Sequence, residues 1–331
     1  MRRKLGLFVA SNEDYYHRLL AAQAQTVADA HRLDLSVFSA DDTPGKQASD
    51  ILRFASGDTE EERYVLVVPV SDARQGVSLE EGPFYRLARK VLAKGVHWIT
   101  LNHGDPAATR ALAREFPDRT VALMAIDNVE FGRVQGRQLE ALVPQGGVVL
   151  YLVGNPDDTA SQDRRQGLLE VLDPSRYQLE EVDGFWRAEV VERAVNRWVH
   201  SPLRRDGVLA AVISQDDEMA LAARAVLGAA ARTLGRRELA DVPIFGGDGL
   251  PDRGARWVAT GELAGTVCVT LPAAVAIEEL TREWMTGVPM TQVTHLAPKA
   301  FPSLGRRLDA QAGAPDRTAP SAEGRRPSRP V

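Results

Sequence analysis

The chain has 331 residues, a hydrophobic fraction of 44%, a charged fraction of 26% and a formal net charge of -5 at pH 7. These values describe a globular protein with room for two domains of ordinary size, and the negative balance argues against a general nucleic-acid binder. Lysine occurs only at positions 4, 46, 90, 94 and 299, and the arginines that replace it are scattered, a bias of base composition and not a basic patch.

In chain order, Met1-Arg2-Arg3-Lys4 has the charged start of a signal peptide, but the apolar run from Leu5 to Ser11 is too short for one and passes straight into a helical pattern. It reads as a first strand. A helix follows over 15–31, with Leu19, Ala22, Thr26 and Ala30 at helical spacing. Leu35 to Phe38 is a strand, and Pro44 opens a helix through Phe54. Tyr64 to Val70 is continuously apolar, as in a strand covered on both faces. A helix from Pro83 to Lys94 ends at Gly95, and Trp98 to Asn102 is the next strand. The pattern then restarts with strand 121–126, an Asp127-Asn128 cap and a helix to Leu142. Strand and helix alternate again over 148–153, 161–172, 177–182, 187–200, 208–213, 217–234 and 242–245. A short helix near 252–260, a strand over 265–269 and a helix over 272–286 complete it. No run approaches the ~18 apolar residues of a membrane span. The single cysteine, Cys268, lies in a strand and excludes an intrachain disulfide.

Strands alternating with helices imply right-handed crossovers and parallel sheets. About ten strands are too many for one sheet, so the fold class is α/β, with two doubly wound lobes. From about Ser303 the chain turns to Arg, Pro, Ser, Ala and Gly without apolar periodicity, and 303–331 reads as a disordered tail.

Two phrases carry most of the functional signal. Ser214-Gln215-Asp216-Asp217-Glu218-Met219-Ala220-Leu221 and Gly246-Gly247-Asp248-Gly249 each follow an apolar strand. Ligands bind at the carboxyl ends of strands in open parallel sheets, so carboxylates there suit hydrogen bonding to a small polyhydroxylated molecule. Walker A, G-x-G-x-x-G, G-x-S-x-G and zinc spacings are all absent from the sequence. The expectation is a binding protein and no enzyme, with neither cofactor nor metal.

Four patches, each at a strand end, resemble the type 1 periplasmic-binding-protein family, closest to its ribose- and galactose-type sugar-binding members. They are Ser11-Asn12-Glu13-Asp14-Tyr15-Tyr16, then Ala125-Ile126-Asp127-Asn128-Val129-Glu130-Phe131-Gly132, then Gln215 to Leu221, and Gly246-Gly247-Asp248-Gly249-Leu250-Pro251. The resemblance covers roughly residues 4–300. It implies two lobes joined by a three-strand hinge crossing near Ile126-Asp127, Thr270-Leu271 and Thr291-His295. The lobes would comprise residues 4–126 plus 271–292, and 127–270 plus 293–302. By position it nominates Glu13, Tyr15, Tyr16, Asn102, His103, Asp127, Gln162, Arg164, Phe185, Asp216, Asp248 and Thr270 as ligand-binding residues. Asp248 is the foremost carboxylate, Tyr15 and Tyr16 are stacking rings, and Trp186 is a substitute for Phe185. Asp217 and Glu218 read as helix-terminus acids and are not nominated.

The pattern also departs from the ribose type. Asn102-His103 stands where that type has an aspartate-arginine pair, Gln162 replaces an arginine, Thr270 a glutamine, and Glu13 and Asp216 replace asparagines. Lost positive charge and gained acids favour a larger or differently substituted sugar, or a ligand with a cationic amine. The implied partners are the solute and an ABC permease or membrane receptor, with no nucleic acid and a monomeric chain. The alternative function is a ligand-sensing subunit. Only four residues precede the first strand, so a helix-turn-helix of the lac-repressor type is not expected. The family's default location is the periplasm or cell envelope; with no visible signal peptide, the residues as written read as cytoplasmic.

Overall fold

The computed structural model describes residues 2–57, 60–70, 82–201 and 208–304. The tail expected over 303–331 lies, from residue 305 onward, outside the described residues. The first part of the chain alternates β1 (Arg2–Val9), α1 (Tyr15–Ala30), β2 (Asp34–Ser39), α2 (Pro44–Ala55), β3 (Glu61–Val67), α3 (Pro83–Leu92), β4 (His97–Asn102), α4 (Pro106–Glu115) and β5 (Val121–Ile126). The second part continues with α5 (Asn128–Leu142), β6 (Gly147–Val153), α6 (Thr159–Val171), β7 (Tyr177–Asp183), α7 (Ala188–Val199), β8 (Leu209–Ser214), α8 (Asp217–Thr233), β9 (Ile244–Phe245), α9 (Arg256–Thr260) and β10 (Thr266–Cys268). The chain then runs through α10 (Pro272–Thr286), β11 (Val293–Leu296) and β12 (Lys299–Phe301).

Two sheets result. The N-terminal lobe holds a six-stranded parallel sheet ordered β11-β5-β4-β3-β1-β2, and the C-terminal lobe a four-stranded one ordered β7-β6-β8-β9. The strands read as continuous apolar runs because both faces are covered. Leu5, Leu7, Val9, Leu66 and Ile99 pack with α1 and α10 on one face, while Phe8, Val65, Val67 and Trp98 pack with α2, α3 and α4 on the other. In the second lobe Leu150, Leu152 and Val212 meet α7 and α8, and Val149, Tyr151 and Ile213 meet α5 and α6. Aspartate side chains cap four helices: Asp14, Asp105, Asp127 and Asp216 accept from the amides of Tyr16, Ala107, Glu130 and Met219.

The chain passes between lobes after β5, between β10 and α10, and between β11 and β12. The third passage corrects the expectation. β11 pairs in parallel with β5, Val293 opposite Leu123 and Leu296 opposite Ile126. Residues 293–296 therefore belong to the N-terminal sheet, and the crossing falls at 297–298, before β12 joins β10 in an antiparallel pair. Residues 293–296 are half-buried or exposed because β11 is an edge strand, so no apolar run marks it. The helix α4 is a further difference: only Ala108, Thr109 and Leu112 of it are buried, too few to show a helical period.

Candidate ligand-binding cleft

The carboxyl ends of both sheets face each other, and nearly every polar residue of interest sits in a strand-to-helix turn there. Among the described residues, four non-glycine residues with positive φ lie in cleft turns: Asn102 (72°), Phe185 (55°), Trp186 (59°) and Asp248 (81°). Left-handed backbone costs such residues about 1 kcal/mol each. Asp41 and Asp42 in the β2–α2 turn share the conformation, at φ 49° and 54°.

Arg164, on α6, is the centre. It is 5% exposed, and its Nε donates to Asn128 Oδ1 at 2.9 Å. One Nη donates to the Gln215 carbonyl oxygen. The guanidinium lies 3.8 Å from the Phe131 ring centroid and 5.5 Å from that of Trp186. What remains of its donor capacity points at Asp248, whose Oδ1 lies 3.5 Å from both Nη atoms. That spacing is at the outer limit of a hydrogen bond. Gln215 is fully buried and holds the floor: its Oε1 accepts from the Gly154 amide at 2.8 Å, and its Nε2 donates to the Tyr151 hydroxyl at 2.6 Å and to the Ser161 carbonyl at 2.9 Å.

The N-terminal lobe supplies the opposite wall. The buried Tyr16 donates its hydroxyl to Asn102 Oδ1 at 2.8 Å. His17 Nδ1 lies 2.8 Å from Asp14 Oδ2. His103 Nδ1 is buried without a protein partner, so it offers an unfilled hydrogen-bonding position. Burial holds the His103 imidazole below its usual pKa, against the opposing pull of Asp158; the ring is neutral at pH 7. The Tyr16 hydroxyl is pushed well above its usual pKa by burial and by the Asp248 charge. Asp158, Arg164 and Asp248 belong to the other lobe, and the two lobes touch where the Arg253 guanidinium lies 4.4 Å from the Tyr15 ring centroid.

Trp186 carries the ring. Its Nε1 donates to Asp158 Oδ2 at 2.8 Å, and its indole lies flat against Gly154, where a Cβ would sit 2.2 Å from it. Phe185, one residue earlier, is 46% exposed. Among the other nominated residues, Tyr16, Asn102, His103, Arg164, Asp216 and Asp248 come together. Asp127 sits at the first hinge crossing, where it caps α5. Glu13 and Thr270 are exposed, and the exposed Gln162 turns back to donate to the Pro156 carbonyl oxygen at 3.0 Å. Tyr15 faces the seam between the lobes, as described below. Asp14, Asn128, Phe131, Asp158 and Gln215 were not nominated. Asp14, Asn128, Phe131 and Gln215 lie within the patches that carry the resemblance, and Asp158 had only its place after a strand as a signal.

Asp217 has a structural duty. It is 3% exposed, and its Oδ1 accepts from Thr266 Oγ1 at 2.6 Å while Oδ2 accepts from the Gly249 amide at 2.8 Å. It ties α8 to β10 and shapes the turn that presents Asp248. Burial and the nearby Asp248 push its carboxyl well above the usual range. The same two causes push Asp216 up to about 8, and burial pushes Asp248 up to about 6 despite Arg164. A raised folded-state pKa means that the folded protein binds more protons than the unfolded one. The stability so gained is complete below the unfolded value near 4 and is lost as pH rises through the folded value. Between pH 7 and 9 the melting temperature is therefore expected to fall, and Asp216→Asn should flatten that slope. His97, held down at about 4 by burial, titrates below this window. A melting temperature that rises over pH 7–9, followed by circular dichroism, would contradict the assignment.

Two parallel-sheet lobes, three crossings and a closed polar cleft at the carboxyl ends of both sheets define the type 1 periplasmic-binding-protein architecture. A family model described as a periplasmic binding protein domain matches residues 84–277, more than half of the chain, and the protein belongs to that family. It is 30% identical over 149 residues to the ribose import binding protein RbsB of Salmonella typhimurium, a match over 44% of this chain and 46% of that relative. The chain thus spans about half the length of that relative. It is 24% identical to RbsB of Escherichia coli over 80% of this chain and 78% of that one. Among solved structures, an ABC transporter periplasmic solute binding protein of Actinobacillus succinogenes, with bound D-allose, superposes with a TM-score of 0.74 at 17% identity, covering 93% of this chain and 100% of that chain. No group of three or more metal-binding side chains occurs among the described residues, and no helix among them is long and apolar enough to cross a membrane.

Proposed function

We propose that this protein is a solute-binding protein whose lobes close on a small polyhydroxylated ligand, a sugar or a near relative, for ABC-type uptake. The observation that carries the reading is the pairing, within one closed cleft, of an immobilised indole with the Arg164–Asp248 pair. The Trp186 face suits the apolar C–H face of a sugar ring. Asp248 accepts hydroxyl protons and Arg164 donates, and charge-assisted bonds of this kind are strong in a dry cleft. Tyr16, Asn102 and the vacant His103 Nδ1 supply further directional contacts. Closure on the ligand is a population shift between open and closed states, and the closed single chain is what a permease would receive. The names of the curated relatives support import over sensing.

Isothermal titration calorimetry against pentoses, hexoses, amino sugars and cyclitols tests this. A one-to-one complex with at least one of them is expected, with no chemical change in the ligand. Trp186→Ala should then weaken binding by roughly tenfold or more and Phe185→Ala by about twofold at most, since ring burial is worth on the order of 1–2 kcal/mol. Equal losses in the two variants would remove Trp186 from the ring position.

A further inference from the structure

Tyr15 and Tyr16 are consecutive at the start of α1 and point about 100° apart around the helix, so one pocket cannot receive both. Tyr16 enters the cleft, and Tyr15 is left half-buried at the seam between the lobes. There the Arg253 guanidinium lies over its ring, 4.4 Å from the centroid. Arg253 comes from the other lobe, on the turn Pro251–Ala255, where its backbone breaks the local helix at φ -127° and ψ -106°. It is aimed by an ion pair with Glu218 of α8 at 3.1 Å and passes 5.7 Å from the Trp257 ring. Arg18 lies 5.7 Å from the same Tyr15 ring and is tied to the carbonyl oxygens of Asn12 and Glu13.

We propose that Arg253 and Tyr15 form an interlobe latch that sets the balance between open and closed protein, and that Tyr15 is not a ligand-stacking ring. Arg18 holds Tyr15 from within the N-terminal lobe, and Glu218 holds Arg253 from within the C-terminal lobe. Both of those contacts survive opening. The guanidinium–ring contact is the one that joins the lobes, so its whole attraction favours closure. The pre-aimed Arg253 side chain loses little further freedom when the lobes meet.

The inference rests on the reading that the lobes open and close, but not on which ligand they hold. Small-angle X-ray scattering of the full chain without ligand provides the test, with thermal unfolding to verify that each variant is folded. Arg253→Gln and Tyr15→Leu should each raise the open-to-closed ratio about three- to tenfold, as the strength of such contacts implies. The double variant should match either single one, because both break the same contact. Tyr15→Phe, which keeps the ring face, should match the unaltered protein. A radius of gyration unchanged in Arg253→Gln and Tyr15→Leu, or additive effects in the double variant, would overturn the latch. Failure of every sugar to bind, with the ratio still shifting, would instead leave the latch standing and remove the ligand reading.

Discussion

Replacing Asp248 by alanine is expected to abolish measurable ligand binding, a loss of roughly a hundredfold or more, while moving the melting temperature by only a few degrees. The side chains of Arg164 and Asp248 are 6% and 17% exposed. Removing one member of a buried, hydrogen-bonded charge pair at a recognition site costs about 2–5 kcal/mol of affinity, because the acceptor is lost and the remaining cation is left unpaired. Two effects oppose each other in stability. Arg164 loses a partner, but keeps Asn128, the Gln215 carbonyl and the Phe131 ring. Asp216 and Asp217 are relieved of the Asp248 charge that presses both carboxyls upward. Calorimetry and a thermal melt on one preparation decide the matter: affinity within threefold of the unaltered protein would take Asp248 out of the site.

The second large effect lies away from the ligand. Gly167→Ala is expected to destabilise the protein by about 3 kcal/mol or more, within the range of severe overpacking, and to lower its melting temperature by roughly 6–12 °C. A Cβ at Gly167 would lie 1.8 Å from the Val129 carbonyl oxygen, and one at Gly132 would lie 1.9 Å from the Arg164 carbonyl oxygen. The helices α5 and α6 therefore touch backbone to backbone, and no rotamer relieves the clash. Because Arg164 stands on α6 and is anchored to Asn128 on α5, separating the helices also displaces the guanidinium, and affinity should fall with stability. Gly228→Ala is the control. It sits within α8 with its nearest neighbour, the Arg232 guanidinium, at 3.9 Å, and the substitution should stabilise by about 0.5–1 kcal/mol. Equal melting temperatures for Gly167→Ala and the unaltered protein would refute the close crossing.

Much of the architecture is legible residue by residue. The run from Tyr64 and the strand ending at Ile213 are apolar because two layers of helix cover them. Pro44, Pro83 and Pro272 open helices where proline's missing amide costs nothing, and Gly95 and Gly287 follow helix ends at φ 86° and 71°. Asp216 and Asp248 are conspicuous because acids immediately after apolar strands sit at the ligand end of a parallel sheet. The edge strand β11 and the sparse helix α4 are much less legible, since each buries too little surface to impose a period on its residues.

The sequence by itself determined the two-lobe α/β plan and the turns that carry the cleft, because burial on both sheet faces and the demands of helix ends act locally on residue type. Only the tertiary structure decided which side chain of each turn faces inward: Trp186 over Phe185, Tyr16 over Tyr15, and Arg164 over its exposed neighbour Gln162. Residues one or two apart at the start of a helix or in a turn are alike in composition but point in different directions. Their choice depends on partners distant in sequence: Asp158 for Trp186 and Asn102 for Tyr16 are brought up by the folding of each lobe, and Arg253 meets Tyr15 only when the two lobes come together.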